Sequence, residues 1–135
     1  MPPTPNLLLA SLPKAAAAAI RPHLKLIELR LGEVVAESGS RIKTACFPLT
    51  AVISLVVELA SGQMIETAMV GCDGVVNGGA ALDGKMSLHK SIVQLAGSVL
   101  TIPAEDLAQL ADDHAPLRAL VIRNEQFLLA QSQQS

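Results

Sequence analysis

The amino-acid sequence predicts a mainly β domain, a barrel or jelly roll with α-helices before and after it. Short runs of alternating apolar and polar residues fill the middle of the chain, and glycine or proline separates them. Helical patterns occur only near the two ends. With 135 residues, half of them hydrophobic, the chain has the size and apolar content of one domain.

Residues 1–22 predict an irregular arm and then a short helix. Three of the eight prolines lie within the first six residues. Asn6 or Ser11 can cap the helix, and residues 14–20 contain five successive alanines, which have the highest helix propensity. Pro22 is expected to end this helix.

Residues 23–102 predict the β domain. From Leu24 onward the hydrophobic period changes to two, the period of a strand. Ser61-Gly62-Gln63 between two alternating runs is typical of a β-hairpin. We expect an antiparallel jelly roll of eight strands or a similar number. The predicted strands cover residues 24–31, 33–37, 44–47, 51–59, 64–70, 89–95 and 98–102.

Four of the nine residues in segment 71–79 are glycine. Such backbone freedom suits a tight loop that passes close to a ligand or to another chain segment. A plain turn between two barrel strands is the alternative interpretation.

Residues 103–135 predict two helices. Pro103 suits a first turn, Glu105 and Asp106 favour the helix dipole there, and Pro116 starts the second helix. Along the second helix a stripe recurs at helical spacing, formed by Leu117, Leu120, Val121, Asn124, Leu128 and Gln131. The stripe packs either on its own barrel or on the same helix of a second chain, where a polar residue in the seam suits a dimer.

Composition argues against several classes of protein. The formal net charge is -2 and the only aromatic residues are two Phe, so the chain lacks the basic surface and the stacking platforms of nucleic-acid binders. No run of roughly 18 uncharged apolar residues exists, which excludes a spanning helix. We expect a cytoplasmic protein without membrane contact.

Few residues suit metal or covalent chemistry. The two cysteines, Cys46 and Cys72, are too few for a cluster and are expected to be buried thiols. Of the three histidines only His89 lies on a predicted strand, so a jelly-roll metal site is not expected. No nucleophile with a neighbouring base is apparent. The sequence therefore predicts a protein that is not an enzyme and has neither metal nor cofactor.

Six motifs occur in a familiar order. They are Leu31-Gly32-Glu33-Val34-Val35, Glu37-Ser38-Gly39-Ser40, Phe47-Pro48-Leu49-Thr50-Ala51-Val52-Ile53-Ser54-Leu55, Ser61-Gly62-Gln63, Met69-Val70-Gly71-Cys72-Asp73-Gly74 and Leu100-Thr101-Ile102-Pro103-Ala104. In this order they resemble the N-terminal sensor half of Crp/Fnr-family bacterial transcription regulators, a cyclic-nucleotide-binding-like domain. The resemblance implies a double-stranded β-helix, or jelly roll, followed by a dimerisation helix.

The family's phosphate-binding cassette aligns with residues 74–82 and 89–91. Here Gly79 stands where the family has a ribose-binding glutamate, and His89 stands where it has a phosphate-binding arginine. Each replacement removes a charge-assisted contact worth about 1.5–3 kcal/mol, which predicts weak or absent cyclic AMP binding. The pair Gly79→Glu and His89→Arg is expected to restore affinity. The candidate ligand-binding residues are Gly74, Asn77, Gly78, Gly79, Ala80, His89, Lys90 and Ser91.

By the same resemblance the C-terminal helix is the homodimer contact, through Leu117, Leu120, Val121, Asn124 and Leu128. Val121→Glu with Leu128→Glu is then expected to separate the dimer without unfolding the barrel. The family's helix-turn-helix domain has no counterpart in this chain, so DNA binding is expected only through a domain that is absent from it.

Two functions remain open. The chain is either a ligand-sensing and dimerisation domain responding to an unidentified small molecule, or a stand-alone module that forms mixed dimers with a full-length regulator and binds no ligand. A jelly-roll enzyme would need a metal or nucleophile cluster, which the sequence does not show.

Overall fold

A computed structural model describes residues 5–84 and 86–134 of the chain. Residues 1–4, most of the predicted arm, lie outside the described residues. The helices are α1 (Leu7–Ala10), α2 (Lys14–Ile20), α3 (Gly78–Asp83), α4 (Ala104–Asp113) and α5 (Ala115–Gln134). The strands are β1 (Lys25–Leu29), β2 (Val34–Ala36), β3 (Thr44–Pro48), β4 (Val52–Glu58), β5 (Met64–Val70), β6 (Lys90–Leu95) and β7 (Gly97–Pro103).

The strands form two sheets, a three-stranded one in the order β1-β7-β3 and a four-stranded one in the order β2-β6-β4-β5. Every strand pair is antiparallel. The predicted antiparallel β domain with flanking helices is confirmed, and the described residues hold seven strands where about eight were expected. The predicted hairpin joins β4 to β5, with Gly62 at φ +87° in its turn.

Strand β3 of the three-stranded sheet is buried on both faces, whereas β1 of the same sheet is largely exposed. Cys46 and Phe47 are neighbours on β3, and successive side chains of a strand point to opposite faces. Cys46 belongs to an apolar cluster with Ile53 and other residues of the four-stranded sheet. Phe47 belongs to a second cluster that contains Leu107 of α4 and residues of the other helices. The helices therefore cover the face of this sheet that the second sheet leaves open.

Burial between the sheets raises the pKa of the Cys46 thiol to about 12. The thiol therefore stays protonated at neutral pH and packs as a small hydrophobe, as the sequence predicts. Cys72 is only half-buried, so the same prediction is wrong in degree for this residue.

One of the two N-terminal helices lies where the sequence predicts it, and the other is an additional helix. Helix α2 has the predicted bounds. Asn6 does act as a cap, but for the additional short helix α1, where its Oδ1 accepts a hydrogen bond from the Leu9 N–H at 3.1 Å. The chain then passes through a one-turn 3-10 helix, Arg21–His23, into β1.

Two local predictions are wrong. The glycine-rich segment does not stay a loop, because its last two glycines begin the helix α3. Asn77, with φ 64°, precedes that helix in the left-handed region, which asparagine tolerates better than most residues. His89 lies just before β6 and not on it.

The prediction for the face of α5 that contacts a second chain is also wrong. Leu117 and Val121 are 0% exposed, and Asn124 and Leu128 are 9% exposed within the single chain. Only Leu120 of the predicted seam is half-buried. The stripe is the face by which α5 packs on its own domain, so its apolar residues are already out of water.

This burial reverses the expected effect of mutating the stripe. Leu117→Ala should lower the free energy of unfolding by about 2–5 kcal/mol, the usual cost of a buried leucine. Arg123→Ala, on an exposed position of the same helix, should change it by no more than about 0.5 kcal/mol. Urea unfolding measures both, and equal effects would contradict this assignment. Val121→Glu with Leu128→Glu is now expected to unfold the domain, because it buries unpaired charge.

Candidate functional site

A groove of about 980 Å³ lies between α3, α5 and the residues that lead into β6. We call it the α5 groove. Its apolar walls are formed by Ala80, Leu82, Met86, Leu88, Ile122 and Leu129. Met86, Leu88 and Leu129 are each more than half exposed. A concave surface of this size and polarity is typical of a small-molecule site.

Four of the eight predicted cassette residues line the groove, and four do not. Asn77, Gly79, Ala80 and His89 line the groove. The other four do not line it. Gly74 and Gly78 are buried beneath α5, and Lys90 Nζ lies 3.8 Å from Glu37 Oε1. Ser91 is 0% exposed on β6, and its hydroxyl has no hydrogen-bond partner within the described chain.

Ser87, which the sequence did not single out, holds the turn before β6 in place. Its hydroxyl donates to the His89 carbonyl oxygen at 2.6 Å and lies 3.4 Å from Asn77 Oδ1. Its backbone N–H donates to the Ser40 carbonyl oxygen at 2.9 Å. Ser87 thereby links the start of α3 to the entry of β6, and so fixes two sides of the groove.

Other groove residues were missed because their proximity is tertiary. Arg41 faces Met86 across an isolated antiparallel bridge, and no local pattern joins these two positions. Arg118, Ile122 and Glu125 lie on one face of α5. Their spacing of three and four residues is a second helical stripe, which could have been recognised beside the first.

The groove carries charges of both signs. Arg41 and Arg118 line it together with Asp83 and Glu125. Arg118 Nη1 also lies 3.7 Å from Asp112 Oδ1, in a partly exposed pair that contributes little stability. Because charges of both signs line the groove, it offers no region of concentrated positive charge that would bind a phosphate monoanion.

Three cassette glycines are in close contact with α5. A Cβ atom at Gly74 would lie 2.7 Å from Asn124 Oδ1, and one at Gly78 would lie 2.9 Å from Val121 Cγ1. A Cβ atom at Gly79 would overlap Glu125 Cγ. None of the three has a positive φ, so glycine is needed here for the space that it leaves to α5 and not for its backbone freedom. The other chain segment that the glycine-rich run allows to approach is α5.

Two asparagines bind the start of the cassette from opposite ends of the chain. Asn124 on α5 donates from Nδ2 to the Val75 carbonyl oxygen at 2.9 Å, and its Oδ1 accepts from the Val75 N–H at 3.4 Å. Asn6 Nδ2 donates to the carbonyl oxygens of Gly74 and Pro48, each at 2.9 Å. Both asparagines are buried, so these bonds satisfy groups that water does not reach.

Structural comparison places this architecture among known folds. The chain has the fold of a cyclic nucleotide-binding domain. It superposes on the N-terminal domain of a transcriptional regulator from Streptomyces coelicolor with a TM-score of 0.70 and 16% identity, covering 96% of this chain and 90% of that one. No protein-family model and no curated protein matches the sequence.

Two further structures are similar over part of their length. The catabolite activator protein of Thermus thermophilus matches with a TM-score of 0.69 and 16% identity over 94% of this chain and 58% of its own. The regulatory subunit of a cAMP-independent protein kinase A from Trypanosoma brucei matches with a TM-score of 0.78 and 13% identity over 98% of this chain and 48% of its own. This chain therefore spans about half the length of these two proteins.

Two other features concern the described residues only. No three histidine, cysteine or carboxylate residues there are grouped to hold a metal ion. None of the helices in that part of the chain combines the length and the apolar character needed to cross a bilayer.

The contact between Gly79 and Glu125 can be tested by a paired substitution. Gly79→Ala should cost about 1–3 kcal/mol from overlap, offset by about 0.5–1 kcal/mol of better helix propensity. Glu125→Ala alone should have an effect within about 0.5 kcal/mol. The double variant should regain the loss, because the overlapping side chain is gone. Additive effects in urea unfolding would show that the two residues do not meet. Gly79→Glu, which the sequence predicts will help restore cyclic AMP affinity, would also place a side chain where Glu125 lies.

Proposed function

We propose that this chain is the ligand-sensing and dimerisation domain of a Crp/Fnr-type bacterial transcription regulator, with the α5 groove as its effector site. The observation that carries the proposal is the position of the groove. Residues of the predicted cassette and of the long C-terminal helix form its opposite walls. A molecule bound there contacts both the β domain and α5, the helix that packs on it. The protein on this proposal is a sensor and not an enzyme.

Cyclic AMP is a poor candidate for the effector. Gly79 and His89 offer neither the carboxylate nor the guanidinium of the family's cassette. Glu125 brings a negative charge into the same groove, which disfavours a phosphate. The apolar walls suit a less charged and more hydrophobic molecule.

Dimerisation, on this proposal, uses the outer face of α5. Phe127 is 57% exposed there, and Leu120 lies seven residues before it on the same face, half-buried. Burying one such side chain fully against a second copy is worth about 1.5–3 kcal/mol. The alternative function, mixed dimers with a full-length regulator, uses the same face and needs no ligand. Ligand titration distinguishes the two.

The effector site predicts how two probes behave. Calorimetry should show cyclic AMP binding more weakly than about 100 μM, and a dissociation constant of micromolar or tighter would contradict the proposal. Nile Red, an uncharged apolar dye, should bind the folded domain. Ala80→Trp, which places a large side chain in the groove, should weaken that binding, while Leu26→Ala on an exposed part of β1 should leave it unchanged. Dye binding that is the same in both variants would argue against a ligand groove.

If the outer face of α5 is the dimer contact, a charge on that face should change the oligomeric state in solution. Sedimentation at about 100 μM should show a dimer for the wild-type chain and a monomer for Phe127→Glu, because like charges then meet across the two-fold axis. Leu26→Glu is the control and should stay dimeric. A monomeric wild type, or a dimeric Phe127→Glu, would remove this face of α5 as the contact.

A further inference from the structure

We propose that the α5 groove takes a short apolar peptide in its zwitterionic form, with the peptide's carboxylate at Arg41 and its ammonium group at Glu125. This inference rests on the proposed function, because it names the class of effector for the same groove. The observation that carries it is the pair of groove charges that have no partner in the described protein.

Four of the aspartate, glutamate, lysine and arginine side chains that the structure describes line the groove. Two of them have partners. Arg118 Nη1 lies 3.7 Å from Asp112 Oδ1, and Asp83 also has an interaction partner. Within the described part of the chain, the side chains of Arg41 and Glu125 form no hydrogen bond or ion pair, either with other residues or with each other. The groove thus presents one unpaired positive charge and one unpaired negative charge.

The two unpaired charges lie on different walls of the groove. Arg41 belongs to the segment between β2 and β3, which an isolated antiparallel bridge joins to Met86. Glu125 lies on α5 and packs on the first turn of α3, where a Cβ atom at Gly79 would lie 2.7 Å from Glu125 Cδ. This packing holds the Glu125 carboxylate, which is half-buried, in a fixed place.

Each unpaired charge has apolar neighbours in the groove. Ile122 and Leu129 lie three residues before and four residues after Glu125, on the same face of α5. Met86 faces Arg41 across the bridge, and Leu88 beyond it is 80% exposed. A ligand that spans the two charges also covers these apolar side chains, and it gains free energy from the area that it removes from water.

Other ligand chemistries leave one or both charges without a partner. An anion meets repulsion from Glu125, and a cation meets repulsion from Arg41. An uncharged apolar molecule takes water away from both charges and replaces it with nothing, which is costly. A net-neutral ligand with a charge of each sign and an apolar body is therefore the best complement to this groove.

The position of the charges favours a peptide over a free amino acid. In an amino acid both charges sit on one carbon atom, whereas an extended peptide separates its ends by about 3.3–3.6 Å for each residue. Arg41 and Glu125 lie on different walls of a groove of about 980 Å³. A peptide of about two to four residues can reach both walls, and a groove of this volume has room for it.

Displacement of Nile Red from the wild-type chain by the tripeptide valyl-leucyl-valine tests the inference. The free tripeptide should displace the dye with a dissociation constant below about 1 mM. Its N-acetyl form lacks the ammonium group and its C-terminal amide lacks the carboxylate, so each should bind at least about tenfold more weakly. Leucine alone, which cannot span the groove, should also bind at least about tenfold more weakly.

Variants of the protein assign each end of the peptide to its partner. Glu125→Gln should weaken the free tripeptide about tenfold but should not weaken the N-acetyl form, which has no ammonium group to lose. Arg41→Gln should weaken the free tripeptide by the same factor but should not weaken the amide. Arg123→Gln, on an exposed position of α5 outside the groove, is the matched control and should change none of the three affinities.

The outcomes distinguish this inference from the proposed function. If Ala80→Trp weakens dye binding but about 10 mM tripeptide does not displace the dye, the peptide is overturned and the groove stays a ligand site. Equal displacement by the free and capped tripeptides, or by leucine, would also overturn it, because the two charges then do not select the ligand. Dye binding that Ala80→Trp leaves unchanged would remove the groove as a site, and both proposals with it.

Discussion

The close approach of α5 to the backbone at residues 74–79 is the constraint on which the rest of the structure depends. It requires glycine at three positions, because the side chains of Val121, Asn124 and Glu125 occupy the space. It places the buried Asn124 where the nitrogen and the oxygen of its side-chain amide both form hydrogen bonds with the Val75 backbone. This contact determines the buried face of α5, the position of its opposite face along the groove, and the small residues in the cassette.

The second organising feature is the three-stranded sheet, in which β3 and β7 carry buried residues on both faces. One face packs on the four-stranded sheet and the other on the helices, so residues of β3 and β7 belong to both apolar clusters. The helices before and after the β domain therefore meet on a common surface. Asn6 and Asn124, from opposite ends of the chain, bind adjacent residues of the same turn there. A change at this turn reaches both ends of the chain through direct hydrogen bonds.

The groove differs from a phosphate site in its chemistry. Its two arginines are accompanied by two carboxylates, and large apolar side chains supply much of its wall. An ion pair with a single phosphate gains little in such a mixed field, whereas an apolar ligand gains from every side chain that it covers. If the groove is the effector site that we propose, this balance and not the fold determines which ligand it favours, because one fold can carry many different sites.

The sequence by itself determined the β domain, the hairpin at residues 61–63, the bounds of α2 and the long C-terminal helix. These features depend on alternation, turn residues and helix propensity, which act between near neighbours. The tertiary structure alone decided which face of α5 is buried. Leu117 and Val121 form the same apolar stripe whether the partner is the chain itself or a second copy, and the periodicity cannot distinguish them. It also decided the role of the glycines and brought Arg41 to Met86, because those contacts join residues that are distant along the chain and leave no local pattern in it.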